Sequence, residues 1–480
     1  MYIGVDLGTS ELKALLLAPD HQVIAQAGRS LLVSNPQPLW SEQNPKDWET
    51  ALIAVLDELA ALAPQAMRSV VGIGLAGQQH GAVVLDQHGV PLRPAILWND
   101  GRSQIECEEL DKACPEAVHL TGNYAMPGFT APKLLWMRKH EPDLFARINL
   151  VLLPKDYLRF YLTGAAMSDM SDASGTFWLD IARRDWSDEL LASCGLGRKQ
   201  MPTLVEGSDK AGYLHPIWAQ RWGMGARVMV AGGAGDNAAS AIGMGIVQEG
   251  EGFLSLGTSG VIFRVTRHFA PNAAACIHAF CHALPHTWHQ MSVMLSAASA
   301  LRWVTRLTGY ETEAALLEQV ATLSDDEKAA APLFLPYLSG ERTPYNNALA
   351  KSGFFGLSMS HNAAALGYAV LEGVGFGLKD GLRALGQEAG VNGLLLVGGG
   401  TRSPLWCQML ADLLEIPLAV ATGSERAGAL GAARLAWLAD GADQETVCRP
   451  PALERRFLPQ GRFCATRYAR FNAAWPMALA

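Results

Sequence analysis

One short pattern occurs twice and constrains the fold more than any other feature. Tyr2 to Asp6 is an apolar run that ends in Leu7-Gly8-Thr9-Ser10 and returns through Leu12 to Leu17. About 249 residues later, Phe253-Leu-Ser-Leu-Gly257-Thr258-Ser259-Gly-Val-Ile-Phe263 repeats strand, Gly-Thr-Ser turn and strand. A few matching residues recur cheaply by chance. Their identical placement after a strand, half a chain apart, predicts a duplicated unit. The expected division lies near residue 245, giving an N-terminal domain over 1–245 and a C-terminal domain over 246–480. A chain of 480 residues is long enough for two large domains.

The local patterns predict a mixed α/β fold. Gln22 to Gln26 reads as a third strand after the Pro19-Asp20 turn. Helical spacing of Trp48, Leu52, Val55 and Leu59 predicts a helix over 45–62, and Val70 to Leu75 reads as the next strand. The order strand, hairpin, strand, helix, strand implies a partly antiparallel sheet. Farther on, Leu394 to Val397 leads into Gly398-Gly399-Gly400-Thr401-Arg402-Ser403, with a helix expected over 405–414. Glycines there permit close approach of a ligand to the backbone, and a helix N-terminus offers free N–H groups. Ala427 to Leu438 reads as a small-residue helix suited to tight packing on a sheet.

Composition and missing motifs exclude several functions. The net charge is −8, which argues against bulk binding to nucleic acid or anionic lipid. Phe269 to Leu301 lacks Asp, Glu, Lys and Arg, yet its four histidines and two prolines make it a poor membrane span. The start of the chain has no basic leader pattern. The eight scattered cysteines read as reduced core thiols of a cytoplasmic protein. No Gly-Lys-Ser/Thr P-loop occurs. Gly233 to Ala238 fits a dinucleotide fingerprint, but Glu251 follows too closely and Asp236 would face a pyrophosphate. Cys276, His278, Cys281, His282, His286 and His289 resemble a zinc set by type. Their spacing fits no common zinc pattern and reads as two strands around Pro285.

What remains is two carboxylates, each beside glycines that follow a strand. Asp6 ends the first strand next to Gly8-Thr9-Ser10, with Lys13 on the returning strand. Asp236 lies in the Gly233–Ala238 loop. Two phosphate-binding turns, one per half, with a third glycine loop for a nucleoside, describe the cleft of an actin-like ATPase.

At this level the chain resembles the FGGY carbohydrate kinases over nearly its whole length. Gly128-Phe-Thr-Ala-Pro-Lys133-Leu-Leu-Trp136-Met-Arg-Lys-His140 is similar to the family's first signature. Ser352-Gly-Phe-Phe-Gly356-Leu through Ala369-Val-Leu-Glu372 resembles its second, departing at Ala365. Further similar segments are Gly77-Gln-Gln-His80-Gly81, Leu97-Trp-Asn-Asp-Gly-Arg102, Leu153-Pro-Lys-Asp-Tyr157, Ser168-Asp-Met-Ser-Asp-Ala-Ser-Gly175 and Leu338-Ser-Gly-Glu-Arg-Thr-Pro344.

The resemblance implies two ribonuclease-H/actin-like ATPase domains with the active site in the cleft between them. It implies ATP-dependent, Mg²⁺-assisted phosphorylation of D-xylulose to D-xylulose 5-phosphate. Another keto-sugar or polyol, such as L-xylulose or ribulose, is the alternative; an actin/Hsp70-like ATPase without a sugar is the more distant one. Asp236 matches the catalytic base and Asp6 the metal ligand. Gln79, His80, Trp98, Asn99, Asp100, Arg102 and Asn237 match the sugar side. Gly8, Thr9, Ser10 and Lys13 match the first phosphate turn, and Gly257, Thr258 and Ser259 the second. Gly399, Gly400, Arg402 and Ser403 match the adenosine loop. Glu11 and Gln79 stand where many members have glycine and methionine, leaving the turn's conformation and that sugar contact open. The expected partners are a small sugar and ATP, with no nucleic acid or membrane, and a homodimer as the candidate assembly.

Overall fold

The computed structural model describes residues 1–386 and 393–479. The first half begins with β1 (Tyr2–Leu7), β2 (Glu11–Leu17) and β3 (Val23–Ser30), an antiparallel meander. Ile3, Val5 and Leu7 alternate inward and are fully buried, as period-two patterning requires. Helix α1 (Pro45–Leu62) follows, spanning the residues its periodicity predicts. Asn44 caps it by accepting from the Lys46 N–H, and Pro45 occupies the first turn, where its missing donor costs nothing. Its buried stripe of Trp48, Leu52, Val55, Leu56 and Leu59 contributes about 1.5–3 kcal/mol per large side chain.

Next, β4 (Gly72–Gly77) pairs parallel to β1, with Asp6 opposite Ala76. After the insertion containing α2 (Pro154–Thr163), β5 (Met229–Ala231) and the two-residue β6 (Ala234–Gly235) pair parallel to the other edge of β4. Helix α3 (Asp236–Gly243) follows β6 immediately.

The second half repeats this plan. β7 (Gly252–Leu256) and β8 (Gly260–Thr266) form the second hairpin. β9 (His278–Cys281) and β10 (Trp288–Met294) are the two strands expected around Pro285, and β10 pairs antiparallel to β8. After the long helix α4 (Ala363–Ala384), β11 (Leu394–Val397) pairs parallel to β7. Helix α5 (Pro404–Leu414) and β12 (Leu418–Ala421), parallel to β11, come next. The strand orders β3-β2-β1-β4-β5 and β10-β8-β7-β11-β12 therefore match in sequence and direction.

One element crosses between the repeats. Helix α6 (Ala427–Ala439) follows β12 but packs on β1, β4 and α3 of the first half. The approach is backbone to backbone. A Cβ on Gly4 would stand 1.8 Å from the Ala429 carbonyl oxygen, and one on Gly74 1.8 Å from that of Ala432. The tight packing expected of this small-residue helix is present, on the sheet of the other half.

Candidate active site

Three parallel strand ends build the candidate site. β1 delivers Asp6, β4 delivers Gly77 with Gln78, Gln79 and His80 beyond it, and β6 delivers Asp236. Carboxyl ends of parallel strands are where α/β folds place ligands. The Gly233–Ala238 glycines serve this geometry rather than a dinucleotide. Gly233 is left-handed at φ +76°, and a Cβ there would stand 2.1 Å from the Leu75 carbonyl oxygen.

Asp6 and Asp236 lie within electrostatic reach of each other. Burial, then the negative charge of Asp236, pushes the Asp6 carboxyl up to about 7; Lys13, opposite it across the hairpin, partly offsets this. Asp6 Oδ1 is buried and has no hydrogen-bond partner among the described residues. Burial pushes Asp236 up to about 6, against the Asn237 N–H and side-chain amide, which donate to its Oδ1 at 2.7 and 2.9 Å.

Gly8-Thr9-Ser10 closes with the Gly8 N–H on the Glu11 carbonyl at 3.0 Å. No residue from 8 to 11 needs a positive φ, so Glu11 is accommodated without strain. Its carboxylate sits over Gly28 and pairs with Lys13 at 3.4 Å. Ala365 is likewise absorbed, because Asn362 caps α4 by accepting from the Ala365 N–H at 3.0 Å.

Beside the acids, the Gln79 amide donates to the Ser171 carbonyl at 3.0 Å. His80 is a non-glycine residue at φ +70°, a costly conformation that concentrates at functional sites. Its Nδ1 lies 2.7 Å from the Gly175 carbonyl, which can only accept, so Nδ1 carries the proton and Nε2 keeps a lone pair. Burial pushes the imidazolium down to about 3, leaving the ring neutral. Trp98 is exposed, with its indole N–H on Thr9 Oγ1 at 3.0 Å, and Asn99 is exposed beside it.

Asp100 and Arg102, which the resemblance places on the sugar side, have buried side chains. They pair with each other: Arg102 Nε donates to Asp100 Oδ1 at 2.8 Å and Nη2 to Oδ2 at 2.7 Å, while Nη1 is buried with no hydrogen-bond partner among the described residues. Arg102 also reaches Glu42 at 2.7 Å and stacks on Trp40 at 3.6 Å. Arg93 extends the network from Glu42 to Glu141. These partners are remote in sequence, so spacing could not reveal them.

A second region gathers the nucleotide candidates. Gly257 and Thr258 of the β7–β8 turn, with Gly399, Gly400, Arg402 and Ser403 before α5, line one cavity of about 730 Å³. Gly398, at φ +94°, lets that loop pass close to the Leu256 carbonyl. Ser259 closes the turn by accepting from the Gly257 N–H at 3.1 Å. The His/Cys segment lies in the packing between sheet and insertion. His278 Nδ1 lies 2.8 Å from Asn123 Oδ1, Cys281 Sγ points to the Ile181 carbonyl, and the His289 ring stacks on Phe263 at 4.4 Å.

Two domains of matching strand order, paired acids at strand ends and a glycine-lined cavity define the fold class of a two-domain α/β sugar kinase. The comparisons agree. The description "FGGY family of carbohydrate kinases, N-terminal domain" matches residues 1–243, and the corresponding C-terminal domain matches 252–439. The chain is 51% identical over 469 residues to the xylulose kinase of Klebsiella pneumoniae, covering 96% of this chain and 95% of that one. It is 50% identical over 476 residues to the xylulose kinase of Escherichia coli K12, covering 98% and 96%. A crystal structure described as a xyloylose kinase from Brucella ovis superposes with a TM-score of 0.95 at 48% identity, covering 99% of both chains. The chain belongs to the FGGY family of carbohydrate kinases.

Proposed function

We propose that this chain transfers the γ-phosphoryl group of ATP to D-xylulose, giving D-xylulose 5-phosphate and ADP. The observation that carries the mechanism is Asp236, the first residue of α3, desolvated and basic enough to hold a proton near neutrality. The sugar's C5 hydroxyl oxygen attacks the γ-phosphorus as its bond to the ADP oxygen breaks, and Asp236 accepts the hydroxyl proton. Asn237 fixes the carboxylate through Oδ1. His80 Nε2 and Gln79 supply directional contacts to sugar hydroxyls, with Trp98 and Asn99 at the rim. Asp100 and Arg102 support that rim from behind.

Gly8, Thr9, Ser10 and Lys13 on one side, and Gly257, Thr258 and Ser259 on the other, take the phosphates. Gly399, Gly400, Arg402 and Ser403 take the adenosine. The unpartnered, buried Oδ1 of Asp6 fits a divalent cation, and Mg²⁺ held there would neutralise phosphoryl charge.

The two lobes divide at 245/246, between the end of α3 at Gly243 and the start of β7 at Gly252. The cytoplasm suits a chain whose eight cysteines are all unpaired, with Cys464 alone exposed. No helix among the described residues is long and apolar enough to cross a membrane.

Asp236→Asn tests the assignment, because it keeps the shape and removes the proton acceptor. Loss of general-base help costs about 10²–10⁴ in kcat, with sugar and ATP binding retained. Near-normal turnover would remove Asp236 from the mechanism.

A further inference from the structure

A buried ionic cluster stands directly behind the catalytic loop. Lys155, fully enclosed on α2, meets Asp156 and lies 2.7 Å from Asp169 and 3.1 Å from Asp172. Among the described residues, these aspartates are the only trio of His, Cys or carboxylate groups close enough to share a metal ion, and the Lys155 ammonium already serves as their cation. Arg159, equally buried, pairs with Asp156. Burial disfavours the charge on Lys155, but the three carboxylates outweigh it and hold the amine protonated. So many enclosed charges are costly, and replacing them by apolar side chains is often neutral or stabilising for a fold. Their placement suggests another use.

Two threads run from the cluster to the two ends of the loop that presents Asp236. At one end the Arg159 guanidinium donates to the Gly232 carbonyl. At the other, Asp169 Oδ2 accepts from the Ser171 N–H at 2.8 Å and from its hydroxyl at 2.5 Å. That hydroxyl oxygen in turn accepts from the Gly235 N–H at 3.1 Å. Gly235 immediately precedes Asp236. The Ser171 carbonyl also accepts the Gln79 amide at 3.0 Å, so one residue touches both the base loop and a sugar-side residue. Four residues on, the Gly175 carbonyl holds His80 Nδ1 at 2.7 Å.

We infer that Ser171, locked by Asp169 and Lys155, is a positioning residue that sets Asp236 against the sugar hydroxyl. This inference rests on Asp236 being the base. The hydroxyl bridges a fixed anion and the glycine loop, so deleting it removes one tether of the loop without removing any group that meets substrate. Misplacement of reacting groups by about 1 Å can cost about 10²-fold.

The test is a double-mutant cycle of Ser171→Ala and Asp236→Asn in the full-length enzyme, with thermal melts of each variant. Ser171→Ala removes one oxygen and leaves the carbonyl on Gln79. Its expected effect is a fall in kcat of about ten- to a hundredfold, with KM for ATP within about twofold and the melting curve little changed. In the Asp236→Asn background the same change should cost little more, because the group it positions is gone. A kcat within twofold of wild type for Ser171→Ala overturns the inference, as does an equal loss in both backgrounds, the mark of a general structural role. An active Asp236→Asn would instead overturn the general-base reading. If Ser171→Ala folds poorly, Lys155→Arg, which keeps the charge and shifts the anchor, must show the same background-dependent loss.

Discussion

Gly428, in the first turn of α6, lies against the Asp6 carboxylate: a Cβ at Gly428 would stand 2.3 Å from Asp6 Oδ2. A helix contributed by the second repeat thus roofs the acid at the end of the first strand of the first repeat. Gly428→Ala must push Asp6 aside or lift the helix end. The expected outcome is a fall in kcat of at least about tenfold with a modestly lowered Tm. Steady-state kinetics beside a thermal melt check it, and unchanged turnover would mean that the carboxylate has room the structure does not show.

Asp6 is an electrostatic burden on the ligand-free fold. Its folded-state carboxyl titrates near 7 against an ordinary value of 3.8, so its charged form is disfavoured by folding. The cost is present above about pH 7, shrinks as pH falls, and is absent below the unfolded value. Asp6→Asn should therefore stabilise the protein at pH 8, by a few kcal/mol at most (one pKa unit is about 1.4 kcal/mol), and the gain should vanish towards pH 4. It should also lose most of its turnover. Melts of both proteins at pH 8 and pH 4 decide this; a gain that grows in acid would contradict the sign.

Arg102 holds a buried ion network together. Removing it as Arg102→Ala leaves Asp100 buried without its cation, while Glu42 keeps Arg93, at a cost of about 3–5 kcal/mol. Denaturant unfolding measures the loss. A variant of normal stability with a sharply raised sugar KM would return Arg102 to the sugar-contacting set.

These contrasts mark what the sequence alone could carry. The repeated Gly-Thr-Ser turns follow from local strand and turn chemistry, so the duplicated topology was legible, as was α1 from its apolar period. Asp6 and Asp236 were legible because each sits beside glycines at a strand end. The landing place of α6 was not, because Gly4 and Gly74, which admit its backbone, look like ordinary strand glycines. Asp100 and Arg102 were assigned to the sugar side from their motif, and the contacts of Arg102 with Glu42 and Trp40 arise only through tertiary folding. Lys155, Asp169 and Ser171 stood inside segments similar to the family, but their convergence behind Gly235 comes from α2 and the short helix Met170–Ala173 meeting the Asp236 loop in space.

The account turns on a small polyol being read hydroxyl by hydroxyl. Each buried polar group left unpaired by a wrong epimer costs about 1–3 kcal/mol, and 1.4 kcal/mol is tenfold in rate. The most direct measurement is kcat/KM, by coupled ADP release, for D-xylulose, D-ribulose, L-xylulose and glycerol with the same enzyme. D-Xylulose should exceed each of the others by at least about tenfold. Another substrate leading that panel would contradict the assignment of D-xylulose and leave the sugar-kinase chemistry in place.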